Sequence, residues 1–367
     1  MNADIIIIGG GMSGLVAAIV AARGGAKTLI IEYKERVGQK ILATGNGRCN
    51  LGNVAAEPWL RYNDPEFVKP VLSEYGVSRE FWLSVGVRLR EIEGRLYPHS
   101  LQAGTVLNAL MTAAKAAGVV TVTGKAVTAN DVLQGYSVFS NRSPKLILAT
   151  GSKATTGSEA YDIAQKFGHH VSTVYPVLGP LITDKRSLKG LKGVRMPATV
   201  RAVSGGKTIG ESAGEVIFKD NGISGTAIFD LSVILGRKGY PKCDLYIDFA
   251  PDIDEKELSA ELKKLPVESF VHKEIARNIT DMGGNAAKLL KAYPVYDARP
   301  GSMQLAQVAT GGLKTEEFSP LTLESKLSPG FFAAGEVLDI DGECGGFNLM
   351  WAAASGQAAA KGALGER

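Results

Sequence analysis

Residues 4–32 read DIIIIGGGMSGLVAAIVAARGGAKTLIIE. Ile5 to Ile8 form an unbroken apolar run, as expected of a parallel strand buried on both faces. Gly9, Gly11 and Gly14 then give G-x-G-x-x-G. Ser13 to Ala22 predict a small-residue helix that Gly24 and Gly25 stop, and Thr28 to Ile31 predict a second buried strand ending in Glu32. In a dinucleotide-binding βαβ unit each part has a physical job. Gly9 permits the tight turn, Gly11 lets the backbone approach a pyrophosphate, and Gly14 lets helix and strand pack closely. The start of the helix, at Met12 and Ser13, offers unpaired N–H groups and partial positive charge to phosphates. Glu32 is placed to accept hydrogen bonds from an adenosine ribose.

The ribose acid serves NAD and FAD alike, so the choice of dinucleotide rests on two other stretches. The first is KILATGNGRCN, residues 40–50. Its two glycines and two asparagines suit turns, and its other residues are hydrogen-bonding or reactive. Beyond the second strand, Lys40, Thr44, Gly45, Asn46, Gly47, Arg48, Cys49 and Asn50 are expected to run along an extended ligand towards a flavin. The second is FFAAGEVLDIDGECGGFNLMWAAASGQAAA, residues 331–360. Phe331 to Ala334 predict a strand, Gly335 and Glu336 a sharp exit expected beside the ribityl–pyrophosphate part of the ligand, and Gly345–Gly346 a lead into a helix from Phe347 to about Lys361. A second helix start, with Gly345, Gly346, Phe347 and Asn348, suits the N1–C2=O edge of a flavin, which becomes negative on reduction. The expected cofactor is therefore FAD.

The fingerprint, TGNGRCN (44–50), ATGS (149–152), GSEAYDIAQKFGH (157–169), ATGGL (309–313) and AGEVLDIDGECGGFNL (334–349) together resemble the BaiN/YhiN-type flavoproteins of the glutathione-reductase-like FAD superfamily. The likeness runs over nearly the whole chain. It implies bound FAD, a discontinuous nucleotide domain and an inserted domain. It also implies adenine against the backbone at Ala126–Val127, and FAD contacts near Ala149, Thr150 and Gly151. Two stretches depart from the pattern. FKDNGISGT (218–226) has Lys219–Asp220 where such proteins often carry Thr-His, and Thr226 in place of Pro. Gly157 to Tyr161 shorten a longer glycine-rich motif. Neither departure touches the FAD expectation.

Composition sets the outer bounds. The chain has 367 residues, 45% apolar and 21% charged, with a net charge of +4. That balance suits two domains or one with an insertion, and nothing in it requires nucleic acid as a partner. No window resembles a membrane span or a signal peptide. The three cysteines, Cys49, Cys243 and Cys344, lie far apart and suggest a reducing cytoplasm.

The fold expected is α/β: a Rossmann-like FAD-binding domain of residues 1–190 and 301–367, with an inserted β-barrel-like and helical substrate or lid domain over 191–300. In the first domain Thr105 to Ala117 read as a helix, Val119 to Val122 as the third strand, Lys145 to Ala149 as the next, and GRLYPHS (94–100) as a turn. In the insertion Ala198 to Val203, Glu215 to Phe218 and Leu245 to Phe249 alternate as antiparallel strands do, and Pro251 to about Tyr293 is helical.

No residue stands out as the catalytic acid or base. Cys49 lacks the second thiol of a redox pair, since Thr44 stands where a Cys-x-x-x-x-Cys partner would be, and it reads as a small packed residue. His99 sits on a loop, His169–His170 fall where a cation suits a helix end, and no metal-ligand cluster is present. The function expected is hydride transfer between FAD and a small organic substrate. NAD(P)H is a possible donor without its own domain, because the stretch after Gly151 has no second G-x-G-x-x-G. The alternatives are a flavin enzyme that modifies tRNA and a non-catalytic FAD-binding sensor.

Overall fold

The computed structural model describes residues 2–133, 135–154 and 161–366; Gly157 to Ala160 of the shortened motif lie outside them. Contacts divide the chain into two units, one of residues 1–174 and 309–367, the other of residues 175–308.

The first unit is built on a five-stranded parallel sheet in the order Phe331–Ala333, Leu146–Leu148, Ile5–Ile8, Thr28–Ile31, Val120–Val122. Ile5 to Ile8 pair in register with Thr28 to Ile31 on one side, and Ile6 to Ile8 with Leu146 to Leu148 on the other. The central strands are wholly buried, which accounts for their uninterrupted aliphatic sequence. Helix Met12–Arg23 follows the first strand and the C-terminal helix Phe347–Leu364 follows the last. Small residues let these two helices touch: a Cβ on Gly356 would stand 2.5 Å from the Ser13 carbonyl oxygen.

The second unit is a closed six-stranded antiparallel barrel: Leu181–Ile182, Gly222–Ser224, Lys207–Phe218, Arg195–Ser204, Cys243–Asp248 and Tyr293–Pro300. It has its own apolar core, centred on Val200, Phe218, Leu231, Ile247 and Tyr293. The unit runs from 175 to 308 rather than 191 to 300, because Leu181–Ile182 is already a barrel strand, held between Gly222–Ser224 and Tyr293–Pro300. Helix Thr226–Arg237 was not foreseen, and the helical stretch after Pro251 is three short helices, Glu255–Glu261, Lys273–Met282 and Ala286–Lys291. In the first unit Arg95–Pro98 is a strand rather than a turn. It pairs with Leu89–Ile92 across a reversal at Glu93–Gly94.

Candidate functional site

The glycine-rich turn is shaped partly by the protein and partly for something else. Gly9 has φ +104°, and a Cβ there would lie 2.4 Å from the Ala149 carbonyl oxygen. A Cβ on Gly14 would fall 1.9 Å from the Gly9 oxygen. Both positions therefore need glycine for the fold alone. Gly11 does not: its backbone is extended at φ −78°, ψ −164°, and a Cβ there would meet nothing within 4 Å. Open space before a glycine, at the start of a buried helix whose first N–H groups have no helical acceptor, suits an approaching pyrophosphate. Met12 and Ser13 are buried at that start.

Glu32 is buried at the end of its strand, where Gly10 N–H donates to Oε2 at 2.6 Å and Lys34 N–H to Oε1 at 2.9 Å. A carboxylate has about four acceptor sites, so capacity remains for ribose hydroxyls. Lys125 N–H donates to the Glu32 carbonyl at 3.0 Å and brings Ala126, exposed, and Val127, half-buried, beside it.

Across the sheet, Ala149 is buried, and the Thr150 hydroxyl is enclosed without a hydrogen-bond partner. A Cβ on Gly151, at φ +73°, would enter open space. Next to them Glu336 has three partners. Lys40 pairs with its Oε2 at 2.5 Å, while the Ser152 hydroxyl and the Ala309 N–H donate to its Oε1 at 2.6 and 2.9 Å. Lys40 and Glu336, both expected to serve the cofactor, are thus also tied to one another. Gly335 touches the first helix, since a Cβ there would stand 2.6 Å from Ser13 Oγ.

The 44–50 loop is a 3-10 turn carried through the left-handed region: Gly45, Asn46, Gly47 and Cys49 all have positive φ. Asn46 and Arg48 are exposed, and Thr44 donates to the Ile41 carbonyl at 2.7 Å. Cys49 is wholly enclosed; burial pushes its thiol up to about 12, against a smaller lowering by its hydrogen bond with Thr44. The next residue, Asn50, is buried with Oδ1 unpartnered. It stands against the lead into the C-terminal helix: a Cβ on Gly346 would be 2.5 Å from Asn50 Oδ1 and 2.6 Å from the Gly52 oxygen. Asn53 Nδ2 donates to the Gly345 carbonyl at 3.1 Å. Two stretches nearly 300 positions apart are thereby joined. Phe347 and Asn348 are used within the protein. The Tyr62 hydroxyl donates to the Phe347 carbonyl at 2.6 Å, and the Asn348 amide bridges Gly342 N–H and C=O at 2.8 and 2.7 Å.

Sequence reading missed a polar network beneath this helix start. Thr310 donates to the buried Asp341 carboxylate at 2.6 Å, and Gly311 N–H and Asn63 Nδ2 reach Asp339 Oδ1 at 3.0 and 3.1 Å. Asn63, in a loop of ordinary composition, gave no signal. Tyr161 was missed too: its buried hydroxyl has no partner, and burial, then the charges of Glu336 and Asp339, push its phenol up.

The remaining candidates lie elsewhere. His99 is exposed beyond the Arg95–Pro98 strand, and Cys344 is partly exposed. His169 is buried, stacked on Phe318 with centroids 4.4 Å apart, and its Nδ1 is 2.9 Å from Glu317 Oε2. Burial holds His169 below its ordinary value, against the opposing pull of Glu317. The described residues contain no cluster of metal ligands and no helix long and apolar enough to cross a membrane.

The chain is 34% identical to the 3-dehydro-bile acid delta(4,6)-reductase of Clostridium scindens, covering 97% of this chain and 98% of the relative. It is 28% identical to the ribosomal RNA dihydrouridine synthase of Escherichia coli, covering 98% and 97%. Among solved structures, the E. coli quinol fumarate reductase subunit FrdA shares the fold, with a TM-score of 0.51 at 14% identity over 100% of this chain and 70% of that one. A model of the HI0933-like protein Rossmann domain matches residues 3–362, and the chain belongs to that family.

Proposed function

We propose that this chain reduces a carbon–carbon double bond conjugated to a carbonyl in a small organic molecule. It is an FAD-dependent oxidoreductase, and the open face of Gly11 between two glycines that the fold itself requires is the observation that carries the cofactor assignment. The helix start at Met12–Ser13 would receive the pyrophosphate and Glu32 the adenosine ribose. Among the described residues, the enclosed Thr150 and Tyr161 hydroxyls and Asn50 Oδ1 are buried polar atoms without partners that could serve the remainder of the cofactor. Bound FAD supplies a hydride equivalent.

The direction and bond type rest on chemistry shared by two relatives. A delta(4,6)-reductase of a 3-dehydro acid and a dihydrouridine synthase both, by name, saturate a double bond in conjugation with a carbonyl. In such a reduction hydride adds to the β-carbon and a proton to the α-carbon, so the site needs a donor where negative charge gathers on the carbonyl. The free N–H groups at the start of the 18-residue C-terminal helix have the right polarity to stabilise negative charge on the cofactor side. NAD(P)H is the proposed electron source, entering without a domain of its own. Cys49 and Cys243 are free thiols, in keeping with a reducing cytoplasm.

The test is anaerobic. Photoreduced enzyme is mixed with an unsaturated 3-oxo steroid acid, and flavin absorbance is followed together with product mass. Reoxidation coupled to a gain of two hydrogens is the expected result; no acceptor-dependent reoxidation would remove the reading. The synthases of 28% identity carry a second reading, in which the reduced base is a uridine of RNA. Dihydrouridine formed in an rRNA transcript, with no turnover of the steroid acid, would favour it.

A further inference from the structure

We infer that the barrel unit carries its own anion site, built to hold the phosphate of a phosphorylated ligand. The turn Lys185–Leu188 and the residues after it meet the tip of the hairpin at Lys219–Asp220 around a hollow of about 510 Å³. Every lining residue belongs to the barrel unit. Small-molecule pockets are mostly apolar, but Leu188 is the one aliphatic side chain lining this hollow. The rest is charge, and nearly all of it is positive.

Ion pairing in and beside the hollow leaves much of that charge unanswered. Asp220 pairs with Lys192 at 2.7 Å, and Asp184 holds the Arg186 guanidinium at 2.7 Å. Lys185, Lys189 and Lys219 line the same space, and among the described residues no carboxylate lies within ion-pair distance of them. Three ammonium groups so gathered repel one another, since the hollow is of the order of the Debye length, about 8 Å at physiological salt. An anion placed among them relieves that repulsion.

The chemistry points to phosphate rather than carboxylate or an apolar acid. Lysine binds phosphate as a hydrated point charge, without the planar fork that matches a carboxylate. Three to four ammonium groups suit a multiply charged oxyanion better than a single negative charge. No aromatic side chain lines the hollow, so a nucleobase has nothing to stack on there, and recognition is of the phosphate itself. The backbone supports access: a Cβ on Gly190, at φ +75°, would have only Arg277 Nη2 near it, at 3.0 Å. Lys219 and Asp220, two residues for which the flavin reading has no use, acquire a role here.

The experiment is calorimetric titration of the FAD-loaded full chain with sodium tripolyphosphate at low ionic strength. Saturable 1:1 binding is expected, weakened at least tenfold in a Lys185→Gln, Lys189→Gln, Lys219→Gln triple variant. A triple variant of equal charge on the same unit, Lys256→Gln, Lys263→Gln, Lys264→Gln, should bind as the wild type does. Asp220→Asn, which removes the one carboxylate lining the hollow, should tighten binding at least twofold. No saturable binding, or equal losses in both triple variants, would overturn the site. Competition then identifies the source of the phosphate. Displacement by NADPH but not NADH means a nucleotide 2′-phosphate, and displacement by an RNA oligomer but by neither nucleotide means a phosphodiester.

Discussion

Asn50 Oδ1 and Gly346 are in mutual contact across nearly the full length of the chain: a Cβ on Gly346 would lie 2.5 Å from that oxygen, at a backbone φ of +101°. Gly346→Ala therefore meets both a strained conformation and a backbone oxygen, that of Gly52, at 2.6 Å. The expected loss of stability is about 1–3 kcal/mol, with lower flavin occupancy. Thermal unfolding with and without added FAD measures both. Unchanged melting would show that this helix start tolerates a side chain.

Gly11 and Gly14 should fail in different ways. Gly14→Ala forces a Cβ to 1.9 Å from the Gly9 oxygen and should impair folding whether or not FAD is present. Gly11→Val has room in the protein itself, so its circular dichroism should be that of the wild type while extracted FAD falls at least tenfold. Full occupancy in Gly11→Val would remove the pyrophosphate assignment.

Cys49 should behave as a buried thiol, not a redox centre. With its pKa raised by burial to about 12, it is protonated at neutral pH, and its reaction with iodoacetamide at pH 8 should be at least tenfold slower than that of a free thiol. The folded-state value lies above the unfolded one. The stability from keeping Cys49 neutral is thus complete below pH 9 and is lost as pH rises towards 12. Cys49→Ser should leave hydride-transfer rates within about tenfold. A charge-transfer band that vanishes in Cys49→Ser would contradict this.

His169 gives the opposite pH dependence. Burial lowers its pKa below the ordinary 6.5, so the folded state favours the neutral ring. Its contribution is present above pH 6.5 and is lost as pH falls through the depressed folded value. Melting temperatures between pH 7.5 and 5 should fall more steeply in the wild type than in His169→Gln. Parallel slopes would show that His169 does not titrate with unfolding.

The nucleotide half of the fold was legible because its signals are local. Four consecutive isoleucines can be a buried strand in few other ways, and the glycine spacing fixes the turn that follows. Leu181–Ile182 is only two residues long and is a strand solely because Gly222–Ser224 and Tyr293–Pro300 flank it. No local pattern could place the unit boundary there. Helix Thr226–Arg237 was hidden because its start at Gly225, φ +105°, reads as a turn. At the site, the sequence shows which residues are polar but not which protein groups they meet. Lys40 neutralises Glu336, and Asn348 closes a turn, because their partners lie far away in sequence or in the backbone. Tyr161 and Asn63 matter through burial and long-range hydrogen bonds, which composition does not encode.

The strand Leu146–Leu148 lies between Ile5–Ile8 and Phe331–Ala333, with the whole of residues 175–308 translated between its neighbours. Synthesis runs at about 5–20 residues per second, so this apolar strand spends many seconds as an uncovered sheet edge, and the first helix waits as long for its packing partner. The barrel, continuous in sequence, can close meanwhile. Bare edges of this kind invite pairing with other chains. Demand for chaperones should therefore peak while residues 175–330 emerge from the ribosome, and should end once the helix reaching Leu364 docks on Ser13.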